Sequence, residues 1–339
     1  MSSRTPRFAI GVDVGGTVTA AGLVAEDGRV VVHEQTPTHA SGAGSAEGTI
    51  AALIEGVMAH QAAAGLPIAG IGAGVPALVD PVAGTIGPEV PHVPELAGRP
   101  LAQFLSRRFG LPAFIDNDVN AISLAEWTFG AGAELARGAA GAGSLVVLAA
   151  GTGFGSGIVL EGRLVRGARS LGAEFGHAPV KFDGRPCWCG GRGCLAVYAS
   201  GRGIAEAARA RVAGHPDAEL LRAAGGDPMG ITSATVFAAA DRGDPIAAPV
   251  IDEACRALGA MIGTIVNGLN PDVVVVTGGV AAAYAKLERR VVEAAAEYAL
   301  ARALAGTRVA IVPGDKRVTV RGAAALVFYE LDGARGRRA

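Results

Sequence analysis

Lysine is nearly missing from this chain of 339 residues; it occurs only at positions 181, 286 and 316. Arginine carries almost all the positive charge, and the net charge is −1. The one basic block is Arg335-Gly-Arg-Arg338, so the electrostatic footprint of a nucleic-acid binder is lacking. Half of the residues are hydrophobic, but Ala, Gly and Val supply much of that. No apolar run reaches the roughly 18 residues of a membrane span. The start, Met-Ser-Ser-Arg-Thr-Pro-Arg, lacks the long apolar stretch of a signal peptide, which points to the cytoplasm. Length alone suggests about two domains.

Cysteine is scarce too, with four residues, yet three of them sit together. Cys187, Cys189 and Cys194 lie just beyond His177, and only Cys255 stands apart. One His and three Cys offer four borderline or soft ligands, which suits tetrahedral Zn²⁺. The alternative is a disulfide knot or a cysteine-lined turn. The tight glycine turns of Cys187-Trp-Cys-Gly-Gly-Arg-Gly-Cys194 and the missing secretory signal favour zinc. The approach to this knuckle, Gly172-Ala-Glu-Phe-Gly-His177, adds the Glu174 carboxylate. A structural zinc would hold His177 by one ring nitrogen and leave the other to face a polar ligand.

Glycine, in contrast, is abundant, and it punctuates strand ends. Phe8–Asp13 reads as a strand, Val14-Gly15-Gly16-Thr17 as a turn, and Ala20–Val24 and Arg29–Glu34 as two further strands. This is an antiparallel meander, unlike the strand–helix unit of a dinucleotide or Walker loop. Gly15 and Gly16 let backbone N–H groups approach an anion, and Thr17 adds a hydroxyl. Asp13 is placed to hold Mg²⁺ through water. Taken alone, such a motif is more often just a hairpin turn. The arrangement recurs, however, where the apolar strand Ser144–Ala150 ends in Gly151-Thr152-Gly153-Phe-Gly155. Two such hairpins, one per domain, can close on the phosphates of one nucleotide. A third glycine turn, Thr277-Gly278-Gly279, ends the strand Val273–Val276 and is placed to line an adenosine pocket. Between the halves, a strand from Ala113 feeds a helix to about Phe129, with Asn117 and Asp118 near its first turn. Asn117 caps the helix or meets a ligand. Asp118 is a carboxylate able to accept the proton of a substrate hydroxyl.

In this order, Asp13-Val-Gly-Gly-Thr17, Gly74-Val-Pro-Ala-Leu-Val-Asp80, Asn117-Asp-Val-Asn120, Gly151-Thr-Gly-Phe-Gly155, Glu174-Phe-Gly-His177 and Cys187-x-Cys-Gly-x-x-Gly-Cys-Leu195 resemble the ROK family of bacterial sugar kinases, glucokinases among them, and related repressors. The match runs from about residue 8 to about residue 330. The resemblance implies an actin-like, ribonuclease H-like ATPase fold, two α/β domains around a hinged cleft. It divides the chain into residues 1–118 plus 318–339 and residues 119–317. It implies ATP-dependent phosphorylation of a hexose hydroxyl, usually the 6-hydroxyl, with Asp118 as general base. Asn117, Glu174 and His177 match sugar-binding positions. Asp13, Gly15, Gly16, Thr17, Gly151, Thr152 and Gly153 match contacts to the ATP phosphates and Mg²⁺, and Gly278 and Gly279 follow on the adenosine side. His177, Cys187, Cys189 and Cys194 match zinc ligands. The partners implied are a sugar, ATP and a second copy of the chain, neither nucleic acid nor membrane.

Two departures bear on the substrate. The family usually carries Glu after Cys-Leu where this chain has Ala196, and many members read Pro-Asn-Leu where this chain has Pro91-His92-Val93. A lost carboxylate costs glucose affinity roughly 1–3 kcal/mol, opens space and removes a charge. Either water replaces the carboxylate and glucose remains the substrate, or the pocket takes a modified hexose, an amino sugar such as kanosamine. His92 would belong to that rearranged pocket, beside the loop at Gly74. A different class is a sugar-responsive regulator without catalysis. Only about a dozen residues precede Asp13, too few for the DNA-binding segment of the family's repressors. The rest reads as scaffold: helices over Thr49–Ala64, Leu101–Phe109, Ser200–Val212 and Pro245–Asn270, a strand over Ile68–Val75, a last helix over Val318–Leu331, and mobile surface loops at 38–45 and 138–143. The apolar stripe at Ala254–Val266 is either core or a dimer face.

Overall fold

Alternation along the first strand sorts its side chains between two layers. Phe8, Ile10, Val12 and Val14 enter one buried cluster, with Ile50, Ile54, Leu101 and Leu105; Ala9 enters another, with Val320, Ala324 and Val327. Period-two burial on both faces identifies a sheet covered by helices on either side. The computed structural model describes residues 7–40, 42, 44–138, 143–314 and 316–336. Its principal elements are β1 (Phe8–Val14), β2 (Val18–Ala25), β3 (Val30–Pro37), α1 (Ala46–Ala64), β4 (Ile68–Val75), α2 (Leu101–Phe109), β5 (Ala113–Asn117), α3 (Asp118–Thr128), β6 (Leu145–Ala150), β7 (Phe154–Leu160), β8 (Arg163–Leu164), α4 (Gly201–Val212), α5 (Ala247–Leu269), β9 (Val273–Thr277), α6 (Glu288–Tyr298), β10 (Arg308–Ile311) and α7 (Lys316–Gly336). Two five-stranded sheets have the orders β3-β2-β1-β4-β5 and β8-β7-β6-β9-β10.

In the first sheet β1, β2 and β3 form the expected antiparallel meander, while β1, β4 and β5 run parallel. The face toward α7 is built from very small residues. A Cβ at Gly11 would run into the carbonyl oxygen of Val320, and one at Gly72 into that of Ala323. The last helix therefore lies on the sheet at backbone contact. Gly72→Ala should push that helix away and lower stability by about 1–3 kcal/mol or more, as overpacking does in a dense core. A thermal unfolding curve measures it.

The chain forms two units. One holds Met1–Ala142, Gly157–Ala173 and Asp315–Ala339, the other Gly143–Ser156 and Glu174–Gly314. This corrects the expected division after residue 118. Gly322 of α7 lies against the carbonyl oxygen of Ala121 in α3, and Gly157 against Ser123 and the Val119 carbonyl. These close approaches keep α3 and the 157–173 segment with the first unit. In the second unit, β6, β9 and β10 are parallel. The apolar stripe of α5 packs within the chain: Gly259 faces Ala294 and Gly263 faces Tyr298, both on α6. It is core, and Cys255 within it is buried. Of the two expected loops, residues 41, 43 and 139–142 lie outside the described ones, as do 337 and 338 of the basic tail. Among the described residues no helix is long and apolar enough to cross a membrane.

Candidate active site

In the first unit the register of three parallel strands sets the site. Asp13 pairs with Gly74, and Gly74 and Val75 pair with Asp116 and Asn117. Asp13, Gly74 and Asn117 therefore lie at the carboxyl ends of adjacent strands, where open α/β sheets bind ligands. Asp118 is the next residue, the first of α3. A Cβ on Gly74 would come 3.3 Å from the Cα of Asp118, so glycine is what lets the β4 end and Asp118 touch. Asn117 is the cap of α3: its Oδ1 accepts from the N–H of Val119 at 2.9 Å and of Asn120 at 3.4 Å. Its Nδ2 donates to the Ala77 carbonyl at 3.2 Å. The capping role is thus real, and it leaves one amide hydrogen for a ligand. Val119 N–H also donates to Asp118 Oδ1 at 2.9 Å.

The turn after β1 brings Gly15, Gly16 and Thr17 together with two residues from elsewhere. A Cβ on Gly16 would sit 2.7 Å from the Cβ of His92, so His92 lies against this glycine turn. Thr38, within the stretch expected to be a surface loop, is fully buried. Its hydroxyl donates to the Gly15 carbonyl at 2.5 Å and its N–H to the Thr17 carbonyl at 2.9 Å. Thr19 meets it at 3.0 Å, hydroxyl to hydroxyl. Its position in a small-residue stretch hid this role.

A buried charge network behind Asn117 and Asp118 was also missed. Asp116 accepts from Arg166 Nε at 2.6 Å, from Asn120 Nδ2 at 2.8 Å and from the Asn117 N–H at 2.8 Å. Arg166 also donates to Glu330 at 2.7 Å. Burial alone would lower the Arg166 pKa; Asp116 and Glu330 together outweigh it and leave the pKa above its ordinary value.

In the second unit, Gly151, Thr152 and Gly279 line one cavity of about 460 Å³, so two of the three predicted glycine turns share a site. A Cβ at Gly153 or Gly279 would meet nothing within 4 Å; no packing demands glycine there, and the open side fits a closely approaching phosphate. Gly278 is different. Its φ is +101° and a Cβ would press on the Ala150 carbonyl at 2.5 Å, so it serves the turn itself.

The 175–177 turn carries the remaining polar groups of this unit. Phe175 N–H donates to Ser156 Oγ at 2.8 Å, pinning the turn to the start of β7. Glu174 is exposed at its surface, yet the protein packed around its carboxyl pushes the pKa up, and His177 pulls it partly back. His177 Nδ1 lies 3.6 Å from Cys187 Sγ, and Cys189 Sγ lies 3.8 Å from Cys194 Sγ. All four ligand atoms fall within 4.8 Å of one another, and all the cysteines are free thiols. Tetrahedral zinc with its usual bond lengths separates two sulfurs by about 3.8 Å and a sulfur from a nitrogen by about 3.6 Å. The donor chemistry agrees as well: burial pushes the Cys194 thiol up to about 12, so a dication is what would hold it as thiolate at neutral pH. The set fits zinc, bound through Nδ1 of His177. Ala196, where a carboxylate was expected, is 2% exposed. The position is closed over, and the opened space anticipated there does not exist at its Cβ.

The sequence pattern of the ROK family matches residues 9–330. A glucokinase of Halalkalibacterium halodurans is 33% identical over 319 residues, 92% of this chain and 93% of its own. The structure of a ROK hexokinase from Thermus thermophilus superposes with a TM-score of 0.80 at 28% identity, covering 96% of this chain and 99% of that one. That of a ROK family glucokinase from Streptomyces griseus in complex with glucose and AMPPNP does so with a TM-score of 0.69 at 30% identity, over 94% and 98%. With these neighbours the α/β units take their place in the actin-like ATPase fold.

Proposed function

The chain belongs to the ROK family and is a hexose kinase; we propose that it transfers the γ-phosphoryl group of ATP to the 6-hydroxyl of its sugar, with Asp118 as general base. The observation that carries this reading is the strand register that sets Asp13, Gly74, Asn117 and Asp118 side by side at the first unit's strand ends. Asp118 stands at the first residue of α3 beside Gly74, where a carboxylate can take the proton of a sugar hydroxyl. Asn117, Gly74, Glu174 and His177 bind the sugar, and His92 reaches it from its place against Gly16. The turns at Gly15, Gly16 and Thr17 and at Gly151, Thr152 and Gly153 cradle the phosphates, Asp13 orients Mg²⁺ through water, and Gly278 and Gly279 border the adenosine. Phosphoryl transfer asks mainly for positioning and charge neutralisation, which this set of backbone N–H groups and one carboxylate supplies. A bound zinc supplies rigidity: it fixes the ring of His177 so that Nε2 faces the sugar. The protein acts in the cytoplasm, as a homodimer.

The substrate is glucose or a modified hexose such as the amino sugar kanosamine, since Ala196 gives the sugar no carboxylate. Coupled ADP release with Mg-ATP over glucose, mannose, fructose, N-acetylated hexosamines, glucosamine and kanosamine tests this. Turnover on one of them is expected. Sugar binding without turnover on any would favour the second reading, a non-catalytic sugar-binding regulator. Two further outcomes follow. Purified protein should hold about one zinc per chain, and Cys194→Ser should lower both metal content and sugar affinity, read by elemental analysis and calorimetry. Glu174 accepts hydrogen bonds from sugar hydroxyls only when ionised. Its raised pKa makes it protonate above the ordinary carboxylate range. The sugar KM should therefore climb as pH falls through that window, and Glu174→Gln should flatten the climb.

A further inference from the structure

Trp188 stands between two members of the metal set, Cys187 and Cys189, and as a residue it is 38% exposed. A cation stacks on its ring: Cζ of Arg202 lies 4.1 Å from the ring centroid. Nε of the same guanidinium donates to Glu206 at 2.7 Å. A planar guanidinium stacked on an indole and paired at one edge with a carboxylate is given an orientation, although its side chain is half exposed. Among the described hydrogen bonds its two Nη atoms are not engaged. Arg202 also lines the cavity shared by Thr152 and Gly279, and its backbone N–H donates to the Thr152 carbonyl at 3.0 Å. The cavity's other cation, Arg209, directs its donors to the carbonyls of Pro228, Met229 and Ile231. Arg202 is thus the cation poised for a ligand there. Glu206 offsets part of its charge, so its contribution is a directed fork of N–H donors, the geometry that matches a phosphate.

We propose that Arg202 donates to a phosphate oxygen of the bound nucleotide and that Trp188 is its positioning residue, so the metal knuckle supports the nucleotide cavity as well as His177. This rests on the kinase reading. Nothing in the motif pattern marks either residue; the link is made only by the stack between the knuckle and the start of α4.

The test uses the full-length, zinc-loaded protein carrying Trp127→Phe, which leaves Trp188 as the sole tryptophan. Mg-AMPPNP is titrated while the emission of Trp188 is followed. Binding should change that emission. Arg202→Ala should weaken Mg-AMPPNP roughly 10- to 100-fold, the scale of a lost hydrogen bond to a charged group, and abolish the emission change. Trp188→Ala, followed by calorimetry, should weaken it roughly 2- to 5-fold, and Trp188→Phe should retain most of the affinity. Zinc content and melting temperature should stay at the parent's values in Arg202→Ala and Trp188→Phe. An Arg202→Ala protein that binds Mg-AMPPNP like its parent overturns the inference and leaves the kinase reading standing. A parent that binds no nucleotide overturns both.

Discussion

Asp118→Asn is expected to lower kcat by roughly 10²- to 10⁴-fold, the usual contribution of a positioned base, with sugar and nucleotide dissociation constants nearly unchanged. The amide matches the carboxylate in size and keeps an oxygen for the Val119 N–H, which now donates to Asp118 Oδ1 at 2.9 Å. The start of α3 is therefore preserved, held also by the Asn117 cap. What disappears is the carboxylate beside Gly74, the group proposed to accept the proton. Loss of kcat and kcat/KM together, with binding intact, marks an interaction made only in the transition state. Steady-state kinetics with calorimetric binding reads both halves. A mutant with wild-type kcat would move the proton to another group.

Arg166→Met is the second large effect, and it falls first on stability. The Asp116 side chain is 3% exposed and that of Arg166 19%. Removing the guanidinium leaves a buried carboxylate with only Asn117 N–H and Asn120 Nδ2 as donors, and strands Glu330 on α7. Breaking such a pair costs about 3–5 kcal/mol, or a melting temperature lower by roughly 6–20 °C. Activity should fall beyond what unfolding explains, because Asp116 directly precedes Asn117 and Asp118 at the end of β5. Arg166→Lys should recover little, since a single ammonium cannot span both carboxylates as the fork does. The double change Asp116→Asn with Arg166→Met should be more stable than Arg166→Met alone, because the more deeply buried Asp116 charge is then gone and only Glu330, 20% exposed, lacks its partner. Equal melting temperatures for the two would show that the ion pair does not hold this region.

What the sequence revealed follows from the range of the interactions involved. The meander at Phe8–Glu34, the cap at Asn117 and the spacing of Cys187, Cys189 and Cys194 are local patterns, and each is present in the fold. Features made by distant contacts were not legible. Arg166 lies fifty residues from Asp116 and carries no motif of its own. Thr38 looked like part of a loop because its neighbours are small, while its hydroxyl is bound to Gly15. The apolar stripe of α5 gives the same periodicity whether it meets α6 or a second chain; Gly259 against Ala294 decides for α6. The unit boundary after residue 118 failed for a similar reason, since the contact between Gly322 and Ala121 is invisible along the chain.

The most direct test of the account is the identity of the product. Sugar turned over with Mg-ATP should give one equivalent of ADP and one hexose phosphate whose phosphorus couples, in the NMR spectrum, to the two protons on carbon 6. A phosphate on another carbon would contradict the placement of Asp118 at the 6-hydroxyl. ADP released without any sugar phosphate would contradict phosphoryl transfer to sugar altogether.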